Sequence, residues 1–516
     1  LKYKAPKEVM TDEVRTLLVS NKNDLVRLLE NRIPAFDYSG SVPLSFAQQS
    51  MLFQHEIDPA GYQLCGRFIV KGPLDVQVCE KVINKIIFRH KVLQTRFFKT
   101  DNKYSGEISE IEPVKIEYID LTEGSHSPWD IMTVRANHLF DFLKPPLLKC
   151  TILKNDVNEF YFQITLPHIV ADGWSLNVFK TEFALLYAAF KRGLPDPLAK
   201  LQVQYADYAK WHNEKAFKDE PLLKAYWTRK LKDMQRLHLP TDYERSVKSS
   251  YDTDSIVISV EERLAENIRN TCKQQNASLF SYFLSVYQIV LARYSNQLDF
   301  AIGIPTASRD HHQLELMIGY FINMLALRTN MKDCPTFSIL LSRNMVELFE
   351  AQKNQNISFE KVVEYVNPQR DSTFNPLVQV LFVFNKSSKE AFFVDDLSFE
   401  PLVVTSEKSQ FELILEVNEI NKTFNLVFIY NKALFSKSKM EQLSKHFLNL
   451  LKEIDEDGNK EINEYQLISP EEKQKILSDW NNFELEENSS SLHELFESQV
   501  MQRPHEVAIR QGEQEV

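Results

Sequence analysis

Residues 159–175 read EFYFQITLPHIVADGWS. The first eight alternate, with Phe160, Phe162, Ile164 and Leu166 on one side, the period of a strand with one face on a core. Pro167 has no N–H to donate to a ladder and suits a strand end. His168 comes next. Asp172 and Gly173 lie four and five residues further on, and from Trp174 to Lys191 the apolar spacing turns helical. Such a strand-to-helix turn would fix the imidazole at the strand end. Gly173 would permit the tight turn, and the helix N-terminus would offer free N–H groups to a developing negative charge. Taken alone, the H-x3-D-G pattern is weak, since a single strand-end histidine is more often a structural residue.

Outward from this element the chain alternates helix and strand. Residues 76–89 carry Val82, Ile83, Ile86 and Ile87 at helical spacing, and 278–295 read as a buried helix. Residues 300–306, 378–384, 411–417 and 424–430 read as strands. The polar stretch 212–251, with Pro221, Pro240 and Asp242, reads as the crossing between two lobes. Residues 1–33 form a small unit with Leu17, Leu18, Leu25, Leu28 and Leu29 at helical spacing, closed by Ile33-Pro34 and a linker over 35–42. Residues 455–459 read as a turn, and 489–516 as a helix followed by a strand-like run at 506–510.

Composition narrows the function. The chain has 516 residues, 43% hydrophobic and 25% charged, enough for two to four compact units with sizeable cores. Twelve glycines speak against glycine-rich phosphate loops, and GxxxxGK[ST], GxGxxG, GxSxG and HExxH are all absent. A net charge of −11 speaks against nucleic acid as a partner. No apolar run approaches the ~18 residues of a membrane span. The opening Leu1-Lys2-Tyr3-Lys4 lacks an apolar signal core, so a cytoplasmic location is expected. The five cysteines form no CxxC pair and are expected to be reduced. His311-His312 reads as a solvated loop rather than a metal pair, and Asp395-Asp396 and Glu486-Glu487 as surface charge.

Further elements stand in order around the turn. They are SFAQQSMLF at 45–53, RHKVLQTRF at 89–97, YADYAKW at 205–211, IGYFIN at 318–323, NQNISFE at 354–360 and RDSTFNPL at 370–377. With 167–175 they resemble the seven motifs of nonribosomal peptide synthetase condensation domains, covering about residues 40 to 470. The turn is similar to that family's HHxxxDGWS motif, with Pro167 in place of the first histidine. Lys91 and Gln94 depart from the second motif, RHExLRTxF, whose His90 reads as a packed structural residue. Residues 1–33 resemble part of a tubulysin-type docking domain, and 489–516 the start of an adenylation domain.

The resemblance implies an α/β fold of two chloramphenicol-acetyltransferase-like lobes in a V-shaped pseudo-dimer. The lobes would span 40–212 and 213–470, with a linker at 471–488. It implies an acyltransferase that joins a donor acyl or peptidyl thioester to the α-amine of an acceptor aminoacyl thioester. Both would arrive on phosphopantetheine arms of carrier proteins, with no cofactor or metal held by this chain. Partners would be an upstream carrier and synthetase subunit, reached through the docking segment, and a downstream carrier and adenylation domain. The piece itself is expected to be a monomer. His168 would be the catalytic group and Gly173 an oxyanion donor. Asp172 would be structural and paired with Arg309 of GIPTASR (303–309), with Pro167 beside them. Trp174, Ser175, Ser308 and Asn323 would line the tunnel. The alternative is a platform that keeps the fold and carrier faces without ordinary condensation, because Pro167 supplies no imidazole.

Overall fold

The computed structural model of the chain describes residues 32–38, 40–57, 63–123, 127–245, 251–368, 375–386, 391–402, 408–482, 491–512 and 514–515. The expected helix around Leu17 to Leu29 and most of the RDSTFNPL element lie outside them. The chain divides into two compact units, one running to Tyr465 and the other Gln466–Val516.

The first unit is built on two six-stranded mixed sheets. One runs, in spatial order, Phe392–Val394, Leu397–Pro401, Gln63–Lys71, Glu159–Pro167, Lys149–Asp156 and Glu117–Asp120. The other runs Asn323–Asn330, Asp299–Thr306, Val380–Lys386, Leu413–Ile420, Thr423–Asn431 and Thr253–Ser259. The alternating residues of Glu159–Pro167 bury Phe160, Phe162, Ile164 and Leu166, as the period-2 pattern requires. Helix Gly173–Lys191 covers that face with Val178, Phe179, Phe183, Leu186 and Tyr187, and packs on helix Val76–Arg89. Buried helix Leu279–Ser295 plays the same part in the second sheet's lobe. Its apolar side chains are buried on every side from Tyr282 to Ala292, and Ser278 caps its N-terminus.

Two stretches differ from the sequence reading. The polar run after His212 continues a 26-residue helix, Tyr205–Lys230, with Pro221 inside it. A thin buried stripe, Ala216, Leu223 and Trp227, holds that helix against the body while its charges face water. The hairpin Phe392–Val394 and Leu397–Pro401 arises between two strands of the second sheet and pairs with the first, Phe399 opposite Val70. Its Phe399 is fully buried, with ring centroids 5.7 Å from Phe183 and 6.0 Å from Phe162. Burying such a ring contributes about 1.5–3 kcal/mol, so the crossing is anchored by packing as well as by backbone pairing.

In the second unit, Ser469 caps helix Pro470–Leu477, and Ser491 with Glu494 forms a capping box on helix Leu492–Gln502. The strand-like run at 506–510 is mostly irregular. Only Arg510–Gln511 pairs, with Gln514–Glu515, because no longer partner strand is present among the described residues.

Candidate active site

Strand Glu159–Pro167 ends opposite Gln63, a single 3₁₀ turn follows at His168–Val170, and Asp172 is the N-cap of the next helix. Asp172 is 1% exposed and every lone-pair direction is taken. Its Oδ1 accepts from the Ser175 N–H (2.8 Å) and the Ser175 hydroxyl (2.7 Å), and its Oδ2 from the Phe321 N–H (3.1 Å). Arg309 Nη2 donates to both oxygens at 3.0 and 3.2 Å. Arg309 Nη1 donates to the carbonyls of Leu314 and Met317 (2.6 and 2.7 Å), and its guanidinium lies 4.0 Å from the Phe321 ring centre. A carboxylate so saturated has no capacity left for substrate. It holds the turn of one lobe to the 309–321 loop of the other.

That loop needs Gly319. A Cβ there would sit 2.1 Å from a ring carbon of Tyr205, and the Gly319 N–H donates to Ser175 Oγ at 3.1 Å. The YADYAKW and IGYFIN elements are therefore two sides of one contact. Behind them, His90 is 1% exposed. Its Nε2 faces Glu182 Oε2 at 2.9 Å and its Nδ1 accepts the Ile318 N–H at 3.2 Å, while burial pushes its pKa below the ordinary 6.5. It is a packed histidine, bracing the loop from the far side.

His168 is different. Its Nδ1 lies 3.2 Å from the Ala171 carbonyl, which fixes Nδ1 as the protonated nitrogen and leaves Nε2 a lone pair. Burial pushes its pKa below 6.5, against the pull of the Ala171 carbonyl and of Asp172, so the ring is neutral at neutral pH. His168 lines a cavity of about 370 Å³ whose walls come from both lobes. Ser50, Met51 and Gln63 contribute from one side, and Tyr320, Asn323 and Met324 from the other. The Tyr320 ring lies 6.1 Å from the imidazole, edge to face. A neutral base in a mostly apolar cleft can accept a proton from a nucleophile.

The other expected site residues separate into two groups. Asn323 lines the cavity, though its amide N–H groups are spent on the carbonyls of Gln355 and Ile357 (2.8 and 2.7 Å). Gly173, Trp174, Ser175, Ser308 and Arg309 are absent from the walls. Trp174 is exposed, and its Nε1–H donates to the Glu315 carbonyl at 2.9 Å; Ser175 belongs to the Asp172 network. A Cβ on Gly173 would meet nothing within 4 Å, so the position is not closed to a side chain. Gln63, Tyr320 and Glu360 are cavity residues that sequence reasoning missed; Tyr320 and Glu360 carried a usable signal, their places in the IGYFIN and NQNISFE elements, whereas nothing local marked Gln63. Among the described residues no three His, Cys, Asp or Glu side chains gather as a metal site, and no helix is long and apolar enough to cross a membrane.

Residues 38–477 match the family described as Condensation domain. A linear gramicidin synthase chain from Brevibacillus parabrevis is 34% identical over 499 residues, 93% of this chain and 10% of that protein. Chondramide synthase from Chondromyces crocatus is 30% identical over 478 residues, 91% of this chain and 12% of that protein. The chain thus spans about a tenth of the length of these synthetases. Among solved structures, a four-domain nonribosomal peptide synthetase superposes with a TM-score of 0.78 at 20% identity, covering 93% of this chain and 38% of that one. The starter condensation domain of rhizomide synthetase gives 0.72 at 15% identity, covering 83% and 98%. Strand order, turn and sequence kinship agree: the chain belongs to the condensation domains of nonribosomal peptide synthetases.

Proposed function

We propose that the chain forms an amide bond between a donor acyl or peptidyl thioester and the α-amine of an acceptor aminoacyl thioester. Each substrate would be carried on the phosphopantetheine arm of a carrier protein. The observation that carries this reading is the His168 lone pair, held by the Ala171 carbonyl toward a cavity shared by two lobes.

The chemistry asks little of the protein. A thioester is already activated, and an α-amine with a pKa near about 7.7–8.0 is substantially neutral at neutral pH. Holding both reactants in one cleft can supply about 7–11 kcal/mol of the barrier. The amine nitrogen attacks the thioester carbonyl, and the carbonyl π pair moves to oxygen. His168 Nε2 takes one N–H proton and returns it to the departing thiolate as the C–S bond breaks. Proton transfer of this kind is worth about 10²–10⁴-fold. The Gly173 N–H, at the first position of helix Gly173–Lys191, would receive the oxyanion by analogy with the family motif. Residues 1–33 would dock an upstream subunit, and 489–516 would lead into an adenylation domain.

The test is to load donor and acceptor carriers and follow the amide by intact-protein mass spectrometry, with wild type beside His168→Ala. Loss of product in the variant supports the reading; full product in the variant overturns it. Pro167 favours the second reading, a carrier-binding platform. Carriers that bind wild type and yield no amide would point to it.

A further inference from the structure

The second sheet turns one face to its helix and the other to the cavity. Phe382, in strand Val380–Lys386, packs its ring 5.0 Å from Phe280 and 6.2 Å from Tyr287 of helix Leu279–Ser295. Leu381, one residue earlier, therefore projects from the opposite face. It lines the cavity, as do Pro305, Met324 and Ile414. Ladder register joins these residues in one row across neighbouring strands. Met324 stands opposite Pro305, Leu381 opposite Gly303, and Ile414 opposite Leu381. Gly303 and Pro305, two residues apart on one strand, share that face. None of the four wall residues is sealed off: Leu381 is 8% exposed and the other three are half-buried.

The row is apolar from end to end. Polar neighbours on the same wall are committed elsewhere. Asn323 Oδ1 accepts the N–H groups of Met324 and Phe359 (2.9 and 3.2 Å), and Ser358 caps helix Phe359–Val366. The charged wall residues, Glu360 and Lys408, are both exposed. An ionic group laid on the row would exchange water for hydrocarbon, which is costly. An apolar group would gain by burial.

Gly303 fixes where Leu381 lies. A Cβ at 303 would overlap Leu381 Cδ2 and come within 3.2 Å of Met324 Sδ and Val378 Cγ2. The leucine side chain thus occupies space that any larger residue at 303 would claim. Leu381 or Met324 would then have to move, and both are cavity walls. In a close-packed wall, one methyl group changes what fits.

We infer that Leu381, seated on Gly303, is a specificity-determining residue that gauges the size of an apolar side chain on one of the two thioester-borne acyl groups. The inference deepens the amide-forming reading above and rests on it.

The test measures amide formation by wild type, L381A, G303A and H168A from pantetheine thioesters. One arm varies the acceptor through alanyl, leucyl, phenylalanyl, lysyl and glutamyl against a fixed acetyl donor. The other varies the donor through the same N-acetylated series against a fixed glycyl acceptor. In one arm, wild type should use leucyl at least about 10-fold better than lysyl or glutamyl. In that arm, L381A should raise the phenylalanyl-to-alanyl rate ratio by about 10-fold and G303A should lower it. The arm that responds identifies the acyl group. Ratios are taken within each variant, so a lower overall rate does not obscure them, and L381V serves if L381A does not fold. A ratio within about twofold of wild type in either variant overturns the role of Leu381 and leaves amide formation standing. Equal use of leucyl and lysyl by wild type in both arms also overturns it, as does an equal shift in both arms, which would mark a change in the cavity as a whole. No amide from wild type with any pair, or full rate in H168A, overturns the underlying reading instead.

Discussion

The two sides of the turn at 168–175 are built on opposite terms. On one side the Asp172 carboxylate and the Ser175 hydroxyl are fully paired, are dry, and join the lobes through Arg309. On the other side His168 keeps a lone pair unspent and lines a cavity. Only three residues separate the saturated carboxylate from the unsaturated imidazole. Here the carboxylate that has all its partners makes architecture, and the imidazole with a lone pair left over at the cavity is the group available for chemistry.

The comparison breaks most visibly at Asp172. Replacing it by alanine strands the Arg309 guanidinium, which is 4% exposed, and should cost about 3–5 kcal/mol of stability in urea unfolding. The double variant with Arg309→Ala should be less unstable than the two losses added, because the stranded charge goes too. If Asp172→Ala instead unfolds like wild type and loses only activity, the division between the two sides is wrong. His168→Ala should do the reverse. The single-turnover rate should fall about 10²–10⁴-fold, with unfolding free energy changed by less than about 1 kcal/mol.

Gly319→Ala attacks the saturated side sterically. The new Cβ must displace the Tyr205 ring, at about 1–3 kcal/mol, readable as a lower melting temperature. The smallest effect is at His212, whose Nδ1 is buried without a partner but lies away from the cavity walls. Burial pushes its pKa from 6.5 to about 4. Below pH 6.5 the unfolded chain binds a proton that the folded state refuses, so stability falls as acid is added. The loss is about 1 kcal/mol between pH 7 and 5.5. His212→Phe should flatten that slope and leave the amide-forming rate alone, which would show that an unsatisfied group matters for reaction only where substrate can reach it.

Much of this was legible in the sequence. The alternation from Phe160 to Leu166, the proline stop and the helical spacing after Trp174 place the turn, and the family resemblance of GIPTASR pairs Arg309 with Asp172. What could not be read depends on pairing between distant strands. Nothing local says that Gln63 stands opposite Pro167, a register set by a ladder across about a hundred residues of chain. Nothing near Phe399 says that its strand will leave one sheet for the other. The part of helix Tyr205–Lys230 beyond His212 was hidden for another reason, since its three widely spaced buried side chains are a faint pattern among so many charges. Trp174, expected from the resemblance to line a tunnel, is not among the cavity walls, and its indole N–H donates to the Glu315 carbonyl.

The hairpin that leaves the second sheet to pair beside Gln63–Lys71 has a consequence for anyone recombining such enzymes. The halves are not interchangeable cassettes. A chimaera that takes residues 63–167 from one parent and 375–431 from another inherits a foreign edge strand. Phe399 must then fit between Phe162 and Phe183 of a stranger. The natural unit of exchange includes both partners of that seam.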